Sequence, residues 1–307
     1  MNPRALRGTP VDVWENTLAL LRQSRSVSCL ETVGDGGDRD RIASLVATQR
    51  PSVVVAAGGD GTLHEVVAAV HSGDPASGPA LGILPFGTGN NVARGLGLQS
   101  LRQGDAPALE RAVAAIVAGR ERRIDLGRVG THVFAGSFAL GMDGAILAAR
   151  NAWGRRWRLR PAVAGYPLYL LSCAVNLARQ HAVAGRVHAD GAPGHGPFYN
   201  LLVTNTPLYA GEFRFDDGDD HSADGQLDLQ IFTGAADYVR AFVTAWRRHV
   251  HHQRGDRIVA SPRQRRVAQV EIALARPLPS QVDGEEFARA DRFSVSVLPG
   301  ALRVRLP

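Results

Sequence analysis

Two glycine-rich segments hold the residues best suited to chemistry. In Val53–Val67, VVVAAGGDGTLHEVV, a run that reads as a buried strand passes through Gly58-Gly59-Asp60-Gly61-Thr62 directly into a helix. Glycine lets a backbone turn with positive φ and approach a ligand closely. A helix N-terminus adds unpaired N–H groups and partial positive charge, so phosphate is the natural guest. Asp60 would repel phosphate unless a divalent cation or a hydrogen-bond network stands between them, which points to a nucleotide with Mg²⁺. Taken alone, the segment reads equally as a tight turn in which Asp60 caps the helix through the N–H of Leu63. The second segment, Leu84-Pro85-Phe86-Gly87-Thr88-Gly89-Asn90-Asn91, also follows a strand and opens a helix, Val92-Ala93-Arg94. Two such loops at the ends of neighbouring parallel strands would meet at one sheet edge, where ligands of α/β folds bind.

Composition narrows the chemistry. The 307-residue chain has 35 basic residues, every one arginine, against 29 Asp+Glu, a formal net charge of +6. The absence of lysine excludes a Walker-type phosphate loop, the strand lysine of protein kinases and Schiff-base catalysis. Anions must be held by guanidinium groups, backbone N–H groups or a metal, and a general base must be a carboxylate, a histidine or a thiolate. Cys29 and Cys173 are too few for a disulfide framework, as expected in a reducing cytoplasm. The opening MNPRALRGTP has no apolar core of a signal peptide.

The elements that must position these loops follow from periodicity. Helices are predicted over Val11–Leu21, Asp38–Thr48, from about Thr62, and over Ala106–Ala118; strands over Ser26–Glu31, Ser52–Ala57 and Ala80–Leu84. Alternating strands and helices argue for a parallel sheet covered on both faces. Beyond residue 122 the pattern changes. Strands are predicted over Arg122–Val129, Thr131–Phe138, Ala184–Ala189, Phe198–Thr206, Gln226–Phe232, Val267–Leu274 and Phe293–Leu298. Helices are predicted over Asp143–Ala152, Ala162–Gln180 and Ala236–His251. The fold class is therefore α/β: a parallel-sheet nucleotide-binding domain over 1–125 and an antiparallel, sandwich-like β-rich domain over 126–307. The last strands are free to return to the first domain, and the site is expected in the cleft between the halves.

GGDGTLHE (58–65) followed by PFGTGNNVAR (85–94) resembles the diacylglycerol kinase catalytic family. That family includes bacterial lipid kinases, sphingosine kinases and ceramide kinases, and is related to NAD kinases and phosphofructokinases. Asn2-Pro3 with Gly8 is similar to its opening Asn-Pro…Gly segment beside the nucleotide. Leu140–Gly144, Asp224-Gly225-Gln226-Leu227-Asp228 and Asp283-Gly284-Glu285 resemble its later motifs in the right order. The resemblance implies a two-domain kinase moving the γ-phosphate of ATP onto a lipid hydroxyl. Asn2, Gly58, Gly59, Asp60, Gly61, Thr62, Glu65, Gly87, Thr88, Gly89, Asn90 and Arg94 would hold the nucleotide. Asp283 would accept the hydroxyl proton with Glu285 beside it, and Asp224 would bind a structural Mg²⁺. Phosphoryl transfer asks mainly for positioning and charge neutralisation, which backbone amides and Mg²⁺ supply without lysine. Asp283-Gly284-Glu285 on its own also reads as an ordinary hairpin turn. Three departures stand out: Met1 precedes Asn2 directly, leaving no strand before it; Asn91 stands where many members carry Asp; and Phe213–Asp224 lacks the usual approach to Asp-Gly. Asp216, Asp217, Asp219, Asp220 and His221 in that last stretch read as metal ligands or as a solvated acidic loop.

Membrane access is expected from Arg150–Arg160, where five arginines accompany Trp153 and Trp157, and from the uncharged stretch Pro161–Ala178 that follows. Two prolines, a glycine, Ser172 and Asn176 make that stretch a buried or membrane-touching helix rather than a span. The same arginines also read as a basic helix face with core tryptophans. The run from Arg247 to Arg257, with its histidines, reads as a solvated basic helix end, since no nucleic-acid module accompanies it. The expected partner is a lipid at the membrane surface, from the cytoplasmic side, without nucleic acid; a homodimer is left open. Alternatives are a kinase of a soluble acceptor, NAD kinase-like, and a nucleotide- or lipid-binding protein with impaired catalysis.

Overall fold

The computed structural model describes residues 1–3, 5, 11–71, 78–101, 106–157, 166–215, 222–253 and 265–307. In the N-terminal half, β1 (Val53–Gly58) and β2 (Ala80–Pro85) run parallel, with Val53 opposite Ala80 and Gly58 opposite Pro85. β-branched valines favour the pleated, half-buried setting of β1. Helices α1 (Val11–Ser24), α2 (Asp38–Gln49), α3 (Asp60–His71), α4 (Asn91–Gly95) and α5 (Ala106–Ala118) surround the pair. On α3, Leu63, Val66, Val67 and Val70 recur at helical spacing and are all buried, in one core with Ile42 of α2 and Leu81 and Ile83 of β2. A second core joins Val13 and Leu21 of α1 to Leu109, Val113 and Ile116 of α5.

The second half holds β3 (Arg120–Val129), β4 (His132–Phe134), β5 (Ser137–Gly141), α6 (Met142–Trp157), α7 (Tyr166–Arg179), β6 (Val183–Ala189), β7 (Ala192–Phe198) and β8 (Asn200–Thr204). It continues through β9 (Leu208–Tyr209), β10 (Phe213–Arg214), β11 (Leu227–Phe232), α8 (Ala235–Gln253), β12 (Arg265–Val267), β13 (Gln269–Val282) and β14 (Glu285–Leu306). One sheet crosses the molecule in the order β1-β2-β14-β13-β5-β8-β11-β12. β14 links the halves: it pairs antiparallel with β13 and β3, and Val304 near its end meets Leu81 of β2 in parallel register. The predicted mixture of a parallel sheet region and an antiparallel β-rich region is what the chain adopts. Residue 125, taken as the boundary, lies inside β3.

Several elements differ from the sequence-based expectation. Ser26–Glu31 forms no strand. Its route to the sheet is a single bridge: the Met1 amine donates to the Leu30 carbonyl (2.5 Å), the Thr32 N–H to Met1 (2.8 Å), and the Asn2 N–H to Ala57 of β1 (2.9 Å). One bridging residue cannot build a ladder, and a largely apolar cavity of about 510 Å³ lies alongside β1, lined by Val27, Val53 and Val55 among others. The single strand expected over Thr131–Phe138 splits into β4 and β5, because the N–H groups of Ala135, Gly136 and Ser137 turn toward Asp283. β7, rich in proline and glycine, pairs only with β6, an edge position that tolerates the missing donors. β13 and β14 outrun their predicted lengths and meet in a two-residue turn, Asp283-Gly284, both residues left-handed (φ 49° and 86°), as a type I′ hairpin requires.

Candidate active site

The ends of β1 and β2 bring the two glycine loops into contact. A Cβ on Gly87 would lie 2.4 Å from the Gly59 Cα, so no side chain fits there. The N–H groups of Phe86 and Gly87 both donate to the Gly58 carbonyl, at 3.0 and 3.2 Å. Asn90, buried and left-handed (φ 49°), locks the second loop by donating to the carbonyls of Gly87 (2.8 Å) and Pro85 (3.2 Å). In front of the loops lies a cleft of about 710 Å³. Of the residues expected to hold the nucleotide, Asn2, Gly59, Gly61, Thr62, Glu65, Gly87 and Thr88 line it, and Glu285 joins them. Asn2 also donates to the Thr62 hydroxyl (3.0 Å).

The other expected residues stand elsewhere. Gly58 makes room for the Thr62 side chain, and Asn90 braces its own loop. Arg94 lines no part of this cleft: its guanidinium donates to the Gly211 carbonyl (2.6 Å), tying α4 to the second half. Val33, Gly34 and Gly36, to which the sequence assigned no site role, line the cleft as well, held by Asp38, which accepts from the N–H groups of Val33 (2.9 Å) and Gly34 (2.7 Å).

A second cavity, about 340 Å³, opens on the other side of α3, between the halves. Asp283 hangs into it from the hairpin turn. Its Oδ1 accepts the N–H groups of Gly136 and Ser137 (both 2.8 Å); its Oδ2 accepts Ala135 N–H (3.1 Å) and meets His64 Nδ1 (3.0 Å). Burial opposes the charged form of His64, but the hydrogen bond and charge of Asp283, with Glu65 and Glu285 nearby, raise its pKa above the ordinary imidazole value. Glu285 is pushed up by burial, with His64 and Arg150 pulling the other way. Asp60, raised by burial and then by Asp283, offers Oδ2 to the Asn91 amide (3.1 Å). The floor is a closed polar network: Asp143, raised by burial, accepts from Tyr238 (2.5 Å) and Asn200 (2.8 Å). Gly61 and Glu285 line both cavities, so the two spaces meet at that pair.

The residues present fit a divalent cation at Asp60, whose buried Oδ1 has no hydrogen-bond partner. Asp224 lines neither cavity; its carboxylate pairs with Arg266 (3.1 Å) and accepts the Gln226 N–H (2.9 Å). Among the described residues no three His, Cys, Asp or Glu side chains converge as a metal cluster. Asp216, Asp217, Asp219, Asp220 and His221 lie outside the described residues, as do Arg158, Arg160, Arg254 and Arg257. Sequence reasoning missed His64 as a site residue, although it follows Asp60 by four positions and so shares its face of α3. It also passed over Tyr169, Tyr209 and Gln281, which line the second cavity and carry no motif.

Glycine loops at the ends of parallel strands border one cavity and a buried acid–imidazole pair lines the next, with Gly61 and Glu285 common to both, in an α/β fold. Residues 1–129 match the diacylglycerol kinase catalytic domain. A probable lipid kinase YegS-like protein of Pseudomonas aeruginosa is 30% identical over 297 residues, covering 94% of this chain and 88% of that protein. One of the same description from Cronobacter sakazakii is 28% identical over 304 residues, covering 96% and 92%. The solved structure of a putative diacylglycerol kinase from Bacillus anthracis shares the fold at a TM-score of 0.71 and 16% identity, covering 100% of this chain and 95% of that one. The chain belongs to the lipid kinase family that carries the diacylglycerol kinase catalytic domain.

Proposed function

We propose that the protein transfers the γ-phosphate of ATP to the hydroxyl of a membrane lipid, diacylglycerol or a relative, in a Mg²⁺-dependent reaction. The observation that carries this reading is the shared wall: Gly61 and Glu285 border both the larger cleft and the smaller cavity. A triphosphate laid along Gly59, Gly61, Thr62 and Gly87 would bring its terminal phosphorus to that wall, with an acceptor hydroxyl opposite. Positioning of this kind supplies most of the acceleration in phosphoryl transfer. The Asp60 carboxylate would hold Mg²⁺, which when bound neutralises charge on the phosphates. Backbone N–H groups of the glycine loops supply the remaining anion contacts, consistent with a chain that has no lysine. Asp224, paired with Arg266, stands apart from this scheme.

Two helices support a lipid acceptor. On α7, Leu170 (50%), Leu171 (45%) and Leu177 (38%) are exposed, and on α8 so are Val239 (41%), Val243 (45%) and Trp246 (48%). Arg240 and Arg247 flank the α8 stripe in the open. Exposed apolar side chains beside arginines suit an anionic bilayer surface, and no helix among the described residues is long and apolar enough to cross one. The protein would thus act peripherally at the cytoplasmic leaflet. The test is transfer from [γ-³²P]ATP to mixed-lipid vesicles with and without Mg²⁺. Label in the organic phase, dependent on Mg²⁺, is expected; label confined to a soluble acceptor, or none, would refute the reading.

A further inference from the structure

We propose that the tip of the β9–β10 hairpin positions the acceptor for phosphoryl transfer, and that Arg94 is the positioning residue that seats this tip against the second glycine loop. This rests on the kinase reading above and names what holds the acceptor side of the site in place.

The hairpin supplies a wall but has little of its own to stand on. Leu208, Tyr209 and Ala210 line the smaller cavity together with Asp60, Gly61 and Asn91 of the first half. β9 and β10 are two residues each and pair only with one another, outside the large sheet. A two-stranded ribbon is marginally stable at best in water, so its place is decided by what grips it. Its back rests on α8, where the rings of Phe213 and Tyr209 lie 4.9 and 6.1 Å from that of Phe242, centre to centre. Apolar packing is non-directional and leaves sliding along that surface cheap.

Directional contacts are made at the tip. Ala210 and Gly211, both left-handed (φ 49° and 82°), form its tight turn. Both backbone groups of Gly211 are taken by α4. The N–H donates to Asn91 Oδ1 (2.5 Å), and the carbonyl accepts from Arg94 Nη1 (2.6 Å). The same Nη1 reaches the Gly89 carbonyl at 3.4 Å, and Nη2 lies 3.4 Å from His249 Nε2 on α8. One planar guanidinium, whose donors form a rigid fork, thus holds the glycine loop, the hairpin and α8 in a single geometry. Loop and tip touch: a Cβ on Gly211 would lie 3.9 Å from the Gly89 Cα. At the other end of α4, a Cβ on Gly95 would lie 3.1 Å from the Thr206 Cβ, so the chain entering the hairpin is pressed against the same helix.

Arg94 separates position from ligation. Asn91 also donates to Asp60, where the cation would sit, so replacing it would disturb the metal too. Arg94 lines neither cavity. Its loss would let the acceptor wall shift while every group that faces nucleotide or lipid stays in the chain. A misplacement of about 1 Å can cost on the order of 10²-fold in rate. Water then competes with the lipid hydroxyl: its oxygen bonds to the γ-phosphorus, the bridging P–O bond breaks, the nucleoside diphosphate leaves with the electron pair, and the proton passes to solvent.

The test follows lipid phosphate and nucleoside diphosphate together, with [γ-³²P]ATP and phosphatidylglycerol vesicles containing diacylglycerol and ceramide, for the wild type, Arg94→Met and Arg94→Lys. KM for ATP and thermal melts are measured on the same samples. Arg94→Met should lower kcat for lipid transfer about 10–10²-fold, leave KM for ATP unchanged, and raise the ratio of diphosphate released to lipid phosphorylated. Arg94→Lys keeps the charge and one donor but not the fork, so it should recover part of kcat and of the ratio. Arg94→Met with wild-type kcat overturns the proposal. So does a loss of kcat with the ratio unchanged, or one matched by a rise in KM for ATP, which would return Arg94 to the nucleotide. Should Arg94→Met not melt cooperatively, Arg94→Lys decides, and a wild-type ratio there overturns the proposal. A wild type that phosphorylates no lipid overturns the kinase reading instead.

Discussion

Asn91 does two jobs that no carboxylate could do at once. Its Nδ2 donates to Asp60 (3.1 Å) while its Oδ1 accepts the Gly211 N–H (2.5 Å), so one amide ties the glycine loops to the second half. An Asp at this position would set a second negative charge against Asp60, whose other oxygen is already buried without a partner. Asp60 carries the consequence in its titration. Its folded pKa is raised, by burial first and Asp283 second. The folded state therefore binds the proton more tightly than the unfolded chain, and the carboxylate costs stability at neutral pH that is recovered as pH falls through the raised value. Asp60→Asn should then stabilise the fold at neutral pH by about 1–3 kcal/mol, the unsatisfied-group penalty, and raise the Tm accordingly. The gain should fade on acidification, and phosphate transfer should be lost; thermal melts across pH and the vesicle assay check both parts. At this scale the sequence was informative where backbone geometry dictates the residue. Gly59 and Gly87 were legible because only glycine lets the loops touch. His64 was not: it is one of ten histidines, and what sets it apart is a carboxylate 219 positions away.

The elements were read best where one period dominates. The valine run of β1 and the apolar spacing of α3 stand almost where expected, since each buries a regular face. β13 was cut short because Arg276-Pro277-Leu278-Pro279 reads as an interruption. The strand absorbs these prolines as irregularities, with register shifts between Ala273 and Leu278 and again before Gln281. Ser26–Glu31 failed for the opposite reason: its residues suit a strand, but strands need neighbours, and sequence periodicity does not report them. The stripe on α8 was likewise hidden. Val239, Val243 and Trp246 fall on a helix whose buried face, Tyr238, Phe242 and Ala245, already accounts for the amphipathic pattern. Replacing Val243 and Trp246 together by Glu should weaken co-sedimentation with anionic vesicles at least about tenfold, since burying each large apolar side chain contributes about 1.5–3 kcal/mol. Transfer to a detergent-dispersed short-chain acceptor should persist. Unchanged vesicle binding would remove α8 from the membrane surface.

For the whole molecule, the decisive fact is that the two halves share a sheet. β14 pairs with β13 and β3 over most of its length and ends beside β2, so neither half completes its hydrogen bonding without the other. Unfolding should accordingly be one transition. Trp14 in the first half, packed edge-on against Phe86 (6.2 Å between ring centres), and Trp246 in the second, studied in single-tryptophan variants, should report coincident denaturation midpoints. Separate midpoints would mean independent halves. The change of pattern near residue 122 matches the passage from the parallel pair β1–β2 to the antiparallel strands. The sequence left the last strands free to return to the first half, and β14 does so; its exact place between β2 and β13 was not legible, because which strand lies beside which depends on long-range closure. β14 also works as a measuring rod. At its first residue stands Glu285, and toward its far end Val304 grips β2, the strand whose tip carries Gly87. Each residue of strand adds about 3.4 Å, more than the length of a hydrogen bond. How far Glu285 stands from the strand that leads into the Gly87 loop is therefore set by how many residues lie between Glu285 and Val304. That count is adjusted where β14 steps out of register: against β13 between Glu286 and Arg289, and against β3 at Leu298–Leu302, where Asp125 accepts the Gly300 N–H at 2.7 Å.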